Sequence, residues 1–273
     1  SDFSDLSTTG LAGLDSVRSG GVNFYYKDKL YLRPRVITDY NRLQTGDLYR
    51  LRNVQSTYNA LGRLNILKYS NIRFEEDVKS DSACLDAFVT LSRNKNKSVA
   101  FEIEGTNSAG DLGAAASVSY MHRNLFKGSE TFSIKIRGAY EAITGLEGYA
   151  NSNYMEYAVE AGLNFPEFMF PFLSSDFKRR IRATSEVTVK YNWQIRPEFE
   201  RTVASAAWSY KWSKRRASHR FDVFDLNYIY MPYRSETFRS YLDEMDQRNP
   251  LLRYSYEDLF IVRMGYTYTY NSS

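Results

Sequence analysis

Apolar and polar residues alternate over long stretches of this chain. Between Arg180 and Arg196 the odd positions Ile181, Ala183, Val187, Val189, Tyr191, Trp193 and Ile195 are apolar, with Ser185 the one exception. The even positions Arg182, Thr184, Glu186, Thr188, Lys190, Asn192, Gln194 and Arg196 are all polar. A period of two predicts a strand with one dry face and one wet face. Its length, about seventeen residues, is roughly three times that of a usual globular strand. Such a strand, with Glu and Lys on one face and Val, Tyr and Trp on the other, suits a wall between lipid and a water-filled interior.

The same pattern recurs from Val99 to the end. Val99, Phe101 and Ile103 alternate with Ala100, Glu102 and Glu104. Leu112, Ala114, Ala116, Val118 and Tyr120 form the next apolar face, and Phe132, Ile134, Ile136 and Tyr140 oppose Ser133, Lys135, Arg137 and Glu141. Met155 to Phe165, Ala204 to Trp212, a less regular Phe224 to Tyr230, and Phe260 to Tyr270 complete about eight strands with the segment at 180–196. Parity predicts Ile134 and Val187 toward lipid, with Lys135 and Glu186 toward the interior. Phe238, Tyr241, Leu242 and Met245 recur at i, i+3, i+4, i+7, which predicts a short amphipathic helix before the last strand.

The part before Val99 reads differently. Residues 1–20 are rich in Ser, Thr, Gly and Asp and read as a linker or the remnant of an earlier domain. Residues 21–96 read as a compact β-α-α-β-β unit. Val22–Tyr26 alternate. Pro34 opens a helix carrying Val36, Ile37, Tyr40 and Leu43, which Gly46 is placed to end. Asn53 is placed to cap a second helix with Val54, Tyr58, Leu61 and Leu64 on one stripe. Ile72, Phe74 and Val78, then Leu85, Ala87, Val89 and Leu91, predict two further strands.

Composition narrows the function classes. Aromatics make up 16% of the 273 residues, with 23 Tyr, which suits the aromatic girdles of a membrane barrel. Mean hydropathy is −0.50, and no apolar run approaches the roughly 18 residues that a spanning helix needs. Half of each barrel strand faces water, so a barrel agrees with both facts. The net charge of +4 does not suggest a nucleic-acid partner. One cysteine, Cys84, excludes an internal disulfide, and two histidines exclude a His-rich metal centre. Ser1 opens no signal peptide, so the N-terminus reads as processed or truncated.

Three stretches carry a family resemblance. Leu30 to Glu76, with its Gly46–Tyr49 step, second helix and Tyr69–Ile72 strand start, resembles a terminal POTRA domain. Phe101 to Glu141 resembles the first three barrel strands of the BamA/TamA outer-membrane assembly superfamily. The turn Arg123-Asn124-Leu125-Phe126-Lys127-Gly128-Ser129-Glu130 is its most specific motif. Phe24 to Ile37 is especially similar to the Bacteroidota-type TamA-like branch, TamL. The resemblance covers about half of the chain. It implies a POTRA domain, residues 21–96, in the periplasm, followed over residues 97–273 by the N-terminal part of an outer-membrane β-barrel. The family barrel has more strands, and its Val-Arg-Gly-Phe/Tyr loop motif is missing; Ile261–Tyr266 is a near miss inside a strand. The chain therefore reads as a piece with a partial barrel.

The resemblance implies a biogenesis factor that inserts or translocates proteins, with outer-membrane lipid, client β-barrel or exported proteins and a TamB-like periplasm-spanning protein as partners. No enzyme activity, cofactor or metal is expected. The first barrel strand, marked by Val99, Phe101, Ile103 and Gly105, reads as short and Gly-flanked, and is the expected gate. Ile72, Phe74 and Val78 form the expected partner edge of the POTRA unit. The rivals are a passive pore or polypeptide-secretion channel, and an outer-membrane lipase. For the lipase, His122 and His219 have nearby serines, Ser119 and Ser218, but no third orienting group. The cluster Asp243, Glu244 and Asp246 lacks calcium-loop spacing and reads as a solvated helix face.

Overall fold

The computed structural model describes residues 13–77, 84–108, 111–143, 152–170, 172, 174, 177–178, 181, 183–214, 216–246 and 256–272. The chain divides into two compact units, Ser1–Asn96 with Arg123–Thr131, and Lys97–His122 with Phe132–Ser273.

The first unit opens with a hairpin that the sequence pattern did not reveal. Residues 1–20 read from sequence as a linker or the remnant of an earlier domain; within them Asp15–Ser19 forms strand β1, which pairs antiparallel with β2, Val22–Tyr26. The cause is the Gly20-Gly21 turn, whose φ values of 57° and 78° suit a tight two-residue hairpin. Val17 is the one apolar residue of β1, too weak a signal to show alternation.

Helix α1, Pro34–Tyr40, starts with Pro in its first turn, as expected. It stops well before Gly46. The Asn41 side chain accepts from Leu43 N–H and donates to the Leu43 carbonyl, both at 3.0 Å, and this local turn competes with another helical turn. Helix α2, Leu51–Leu61, begins two residues before Asn53 and has no side-chain cap. Val36, Leu61 and Leu64 form the core, with Ile37, Tyr40, Leu67, Val89 and Leu91 packed on it. Strands β3, Leu67–Glu76, and β4, Leu85–Arg93, pair as a separate two-stranded ribbon.

The second unit contains all eight expected strands: β5 (Lys97–Ser108), β6 (Asp111–Arg123), β7 (Thr131–Ile143), β8 (Ser152–Phe165), β9 (Thr184–Ile195), β10 (Phe199–Lys214), β11 (Ala217–Arg234) and β12 (Leu259–Tyr270). They form one sheet in sequence order, with β5 and β12 at its edges. Helix α3, Glu236–Asp246, occupies the position expected before β12. Its Leu242 is buried, and Phe238 stands 5.5 Å from the Phe199 ring. Two expectations change. Strand β9 covers twelve residues rather than about seventeen, and β5 also has twelve and is not short.

The irregular seventh strand has a physical cause. On β11, Phe224 faces Trp208 of β10 while Asp222 faces its next residue, Ser209, so Val223 is an extra residue. The same bulge shifts the register against β12 between Asp222 and Asp225. One extra residue reverses parity. His219 and Phe221 therefore share a face with Phe224, Leu226 and Tyr228 despite their odd numbers.

Candidate functional sites: the β5 edge and the β6–β7 turn

Strand β5 pairs with β6 in unbroken register from Lys97↔His122 to Ser108↔Asp111. Its other side has no strand neighbour among the described residues. Val99, Phe101 and Ile103 share one face; Phe101 is 75% exposed and Ile103 88%. Gly105 lies on the same face, and a Cβ there would meet open space. The residues proposed as a gate from sequence thus lie together on a sheet edge.

The opposite face of β5 is held by charge. Glu102 accepts from Lys135 Nζ at 2.7 Å and from Ser117 Oγ at 3.0 Å. Glu104 accepts from Arg137 at 2.9 Å. Lys135 and Arg137 are on β7, so these pairs reach across β6. They can do so because β6 presents Gly113, Ala115 and Ser117 between them. Glu156 extends the ladder, pairing with Arg137 at 3.4 Å and accepting from Asn192 at 2.5 Å. Lys190–Glu160 and Lys211–Glu186 pairs carry it to β10. These polar rows lie on one face of the sheet, while Ile136, Tyr157, Val189 and Tyr191 are exposed on the apolar rows.

The turn Arg123–Glu130 belongs to the first unit. Lys127 and Ser129 have φ of 60° and 65°, backbone geometry unusual for residues other than Gly. A buried carboxylate holds this shape: Glu130 accepts from Phe126 N–H at 3.1 Å and Gly128 N–H at 2.9 Å. A Cβ on Gly128 would run into that carboxylate. Arg33 donates to the Phe126 carbonyl through Nε at 3.0 Å and through NH2 at 2.5 Å, and pairs with Glu130 at 3.4 Å. Asn124 donates to the Tyr31 carbonyl at 2.6 Å and accepts from Ser129 N–H at 2.9 Å. Ile66 N–H donates to Ser129 Oγ at 3.3 Å, and Arg123 N–H to the Asn96 carbonyl at 2.7 Å. Burial raises the Tyr31 phenol pKa, partly offset by Arg93. Leu125 and Phe126 remain exposed at the tip. The sequence singled out the turn but not Arg33, which lies 97 positions from Glu130.

The expected partner edge of the first unit is altered. Ile72 is buried and its N–H donates to Tyr58 Oη at 2.8 Å, so that point of β3 cannot accept an added strand as it stands. Phe74 packs edge-on against Tyr49 at 5.1 Å. Val78 lies outside the described residues. Of the histidines, His219 stacks on Trp212 at 5.0 Å, and its Nδ1 is 2.7 Å from Tyr266 Oη. Ser218 meets Ser213 at 3.3 Å. Among the described residues no group of three His, Cys, Asp or Glu side chains is placed to hold a metal ion.

No protein-family model matches the chain, and no curated protein matches it. Among solved structures it is similar to BamA from Haemophilus ducreyi lacking POTRA domains 1–3, at TM-score 0.53 and 13% identity, over 88% of this chain and 42% of that one. CdiB from Acinetobacter baumannii aligns at TM-score 0.37 and 10% identity, over 74% of this chain and 44% of that one. The chain thus spans less than half the length of either. The likeness to BamA is one of fold: an eight-stranded meander built like part of that molecule.

Proposed function

We propose that this chain is part of an outer-membrane biogenesis factor of the BamA/TamA superfamily, nearest its TamA-like Bacteroidota branch, and that β5 is the strand at which clients are received. The observation that carries this reading is the side of β5, twelve residues long, that pairs with no other strand among the described residues, at the edge of a sheet similar in fold to part of BamA. In this reading residues 21–96 are a periplasmic POTRA domain and residues 97–273 the first part of a lipid-embedded barrel.

The mechanism is strand addition. An edge offers a row of N–H and C=O groups, and an incoming strand satisfies them whatever its side chains. Affinity comes from the backbone, so many clients fit one edge. The Glu102–Lys135 and Glu104–Arg137 pairs act as clasps that return β5 to β6 after each exchange. Exposed ion pairs of this kind hold only weakly, because water and salt screen them, which suits a strand that must also move. Outer-membrane lipid, client proteins and a TamB-like periplasmic protein are the partners of this reading, and none of its steps needs a cofactor or covalent chemistry.

The test uses the full-length protein in membranes, with Cys84 first replaced, since its thiol is exposed. A disulfide that locks β5 to its barrel neighbour should stop client assembly while the barrel stays folded. Full activity in the locked form overturns the gate and leaves a POTRA-bearing pore. The pore reading draws on one observation of its own: the charged ladder from Glu102 to Lys211, which suits a water-filled interior. Ion conductance that persists in the locked form separates the two.

A further inference from the structure

Near the β10–β11 turn the apolar face of the sheet ends in three rings on one rung. Trp212 of β10 pairs with His219 of β11, which pairs with Tyr268 of β12. Trp212 and His219 stack at 5.0 Å with 7° between their planes, and the Tyr268 ring lies 5.3 Å from His219. His219 Nδ1 is 2.7 Å from Tyr266 Oη, and this hydrogen bond fixes the plane of the imidazole. His219 joins the rung because the extra residue Val223 sets the parity of that half of β11.

The next rung toward the turn is Lys214, Ala217 and Tyr270. Lys214 therefore stands on the apolar face, at its rim, and both it and Arg216 of the turn are exposed. The strands supply no acid there: the segment from Ser209 to Phe221 has no Asp or Glu, and neither has the one from Leu259 to Tyr270. Lys211 and Arg220, by contrast, lie on the polar face, where Lys211 pairs with Glu186, and Arg220 with Asp222 at 2.8 Å. Ala217 is the small member of its rung and leaves a gap between Lys214 and Tyr270, directly beyond His219. Rings with a polar edge, then cations without counter-charge, are the order of groups met in passing from acyl chains to anionic headgroups.

We propose that this corner of the sheet binds one anionic phospholipid: Lys214 and Arg216 hold its phosphate, and the Trp212–His219–Tyr268 rung lies along its glycerol and upper acyl carbons. The proposal rests on the proposed function, in which the sheet is a membrane wall and the chain enters β5 from the periplasm. Successive strands alternate in direction, so the β10–β11 turn then lies in the periplasmic leaflet, and the ligand is a phospholipid of that leaflet. A lipid held on β10–β12 keeps that part of the sheet at constant depth while β5, at the far edge, exchanges partners.

The experiment takes the full-length protein in detergent and follows it by native mass spectrometry after adding phosphatidylglycerol, or phosphatidylcholine with the same acyl chains. One phosphatidylglycerol should stay bound at a collision energy that strips phosphatidylcholine. Lys214→Gln with Arg216→Gln should lower that adduct at least about fivefold, since one cation beside an anionic lipid contributes roughly that factor. Lys214→Arg with Arg216→Lys should retain it, and gel heat-modifiability checks that each variant is folded. Equal retention of the two lipids by the unaltered protein means an ordinary lipid shell and overturns the site, as does an undiminished adduct in the folded double Gln variant. A separate arm tests the wall itself: Val189, exposed on the apolar face, is changed to Cys in a Cys84→Ser background and labelled with a fluorophore in vesicles of brominated lipid. Absence of quenching at 189 sinks the membrane reading; quenching at 189 without a selective adduct sinks the lipid site alone.

Discussion

Single side chains carry much of what distinguishes this molecule from a generic sheet. Glu130 satisfies two backbone N–H groups in a turn whose φ values favour Gly at two positions that carry Lys and Ser. Glu130→Ala should leave both donors, the Gly128 N–H buried, without that acceptor, costing about 1–3 kcal/mol, measured as a drop in chemical-denaturation midpoint of the first unit. Arg33→Ala should cost less, because its side chain is half exposed and water can replace it. On the sheet, parity makes a sharper claim. If the apolar face meets lipid, as the proposed function has it, Ile136→Arg places a cation near the bilayer midplane and should cost about 2–4 kcal/mol. Lys135→Ala should cost under about 1 kcal/mol. A folding titration in lipid that ranks them the other way reverses the face assignment.

At the scale of elements, β5 should be labile through position and clasping rather than length. Among the described residues it has one strand neighbour, whereas β9 has two. Local opening requires fewer hydrogen bonds to break together in β5, so its amides should exchange faster than those of Thr184–Ile195. Removing both clasps with Lys135→Ala and Arg137→Ala should speed β5 exchange further, by about two- to tenfold, and high salt should do the same. Equal protection of β5 and β9 counts against the gate. The small row Gly113, Ala115 and Ser117 on β6 belongs to this device. A Cβ at Gly113 would come within 2.9 Å of the Tyr140 carbonyl, so Gly113→Ala should disturb the β6–β7 contact. The strands were legible from the sequence because alternation is a local signal, repeated at every second residue. Helix ends were not, since Asn41 and Arg50 settle them through turn geometry rather than through Gly46 or Asn53. The carboxylate clamp at Glu130 was half legible: the turn shows as a motif, but Arg33 reaches it only once the chain has folded.

For the whole molecule, the two units make different demands. The first buries Val36, Leu61 and Leu64 within itself, so a fragment of residues 13–96 should unfold cooperatively in water, measured by circular dichroism. A fragment starting at Val22 should be less stable, because β2 loses the partner that Asp15–Ser19 provides. The second unit exposes its apolar rows and needs a matching surrounding. From Ala217 to Tyr230 the rows of β11 stay in phase with their neighbours because the strand carries an extra residue at Val223; a second register shift follows between Tyr230 and Tyr233. Val223 acts as a half-turn of phase held inside a single strand. Removing it would not merely shorten β11; it would put one half of that strand on the wrong face of the sheet, moving either His219 and Phe221 or Leu226 and Tyr228 to the polar side. A one-residue deletion there is therefore a change of side for half a strand, and no substitution elsewhere along β11 could undo it short of restoring the lost residue.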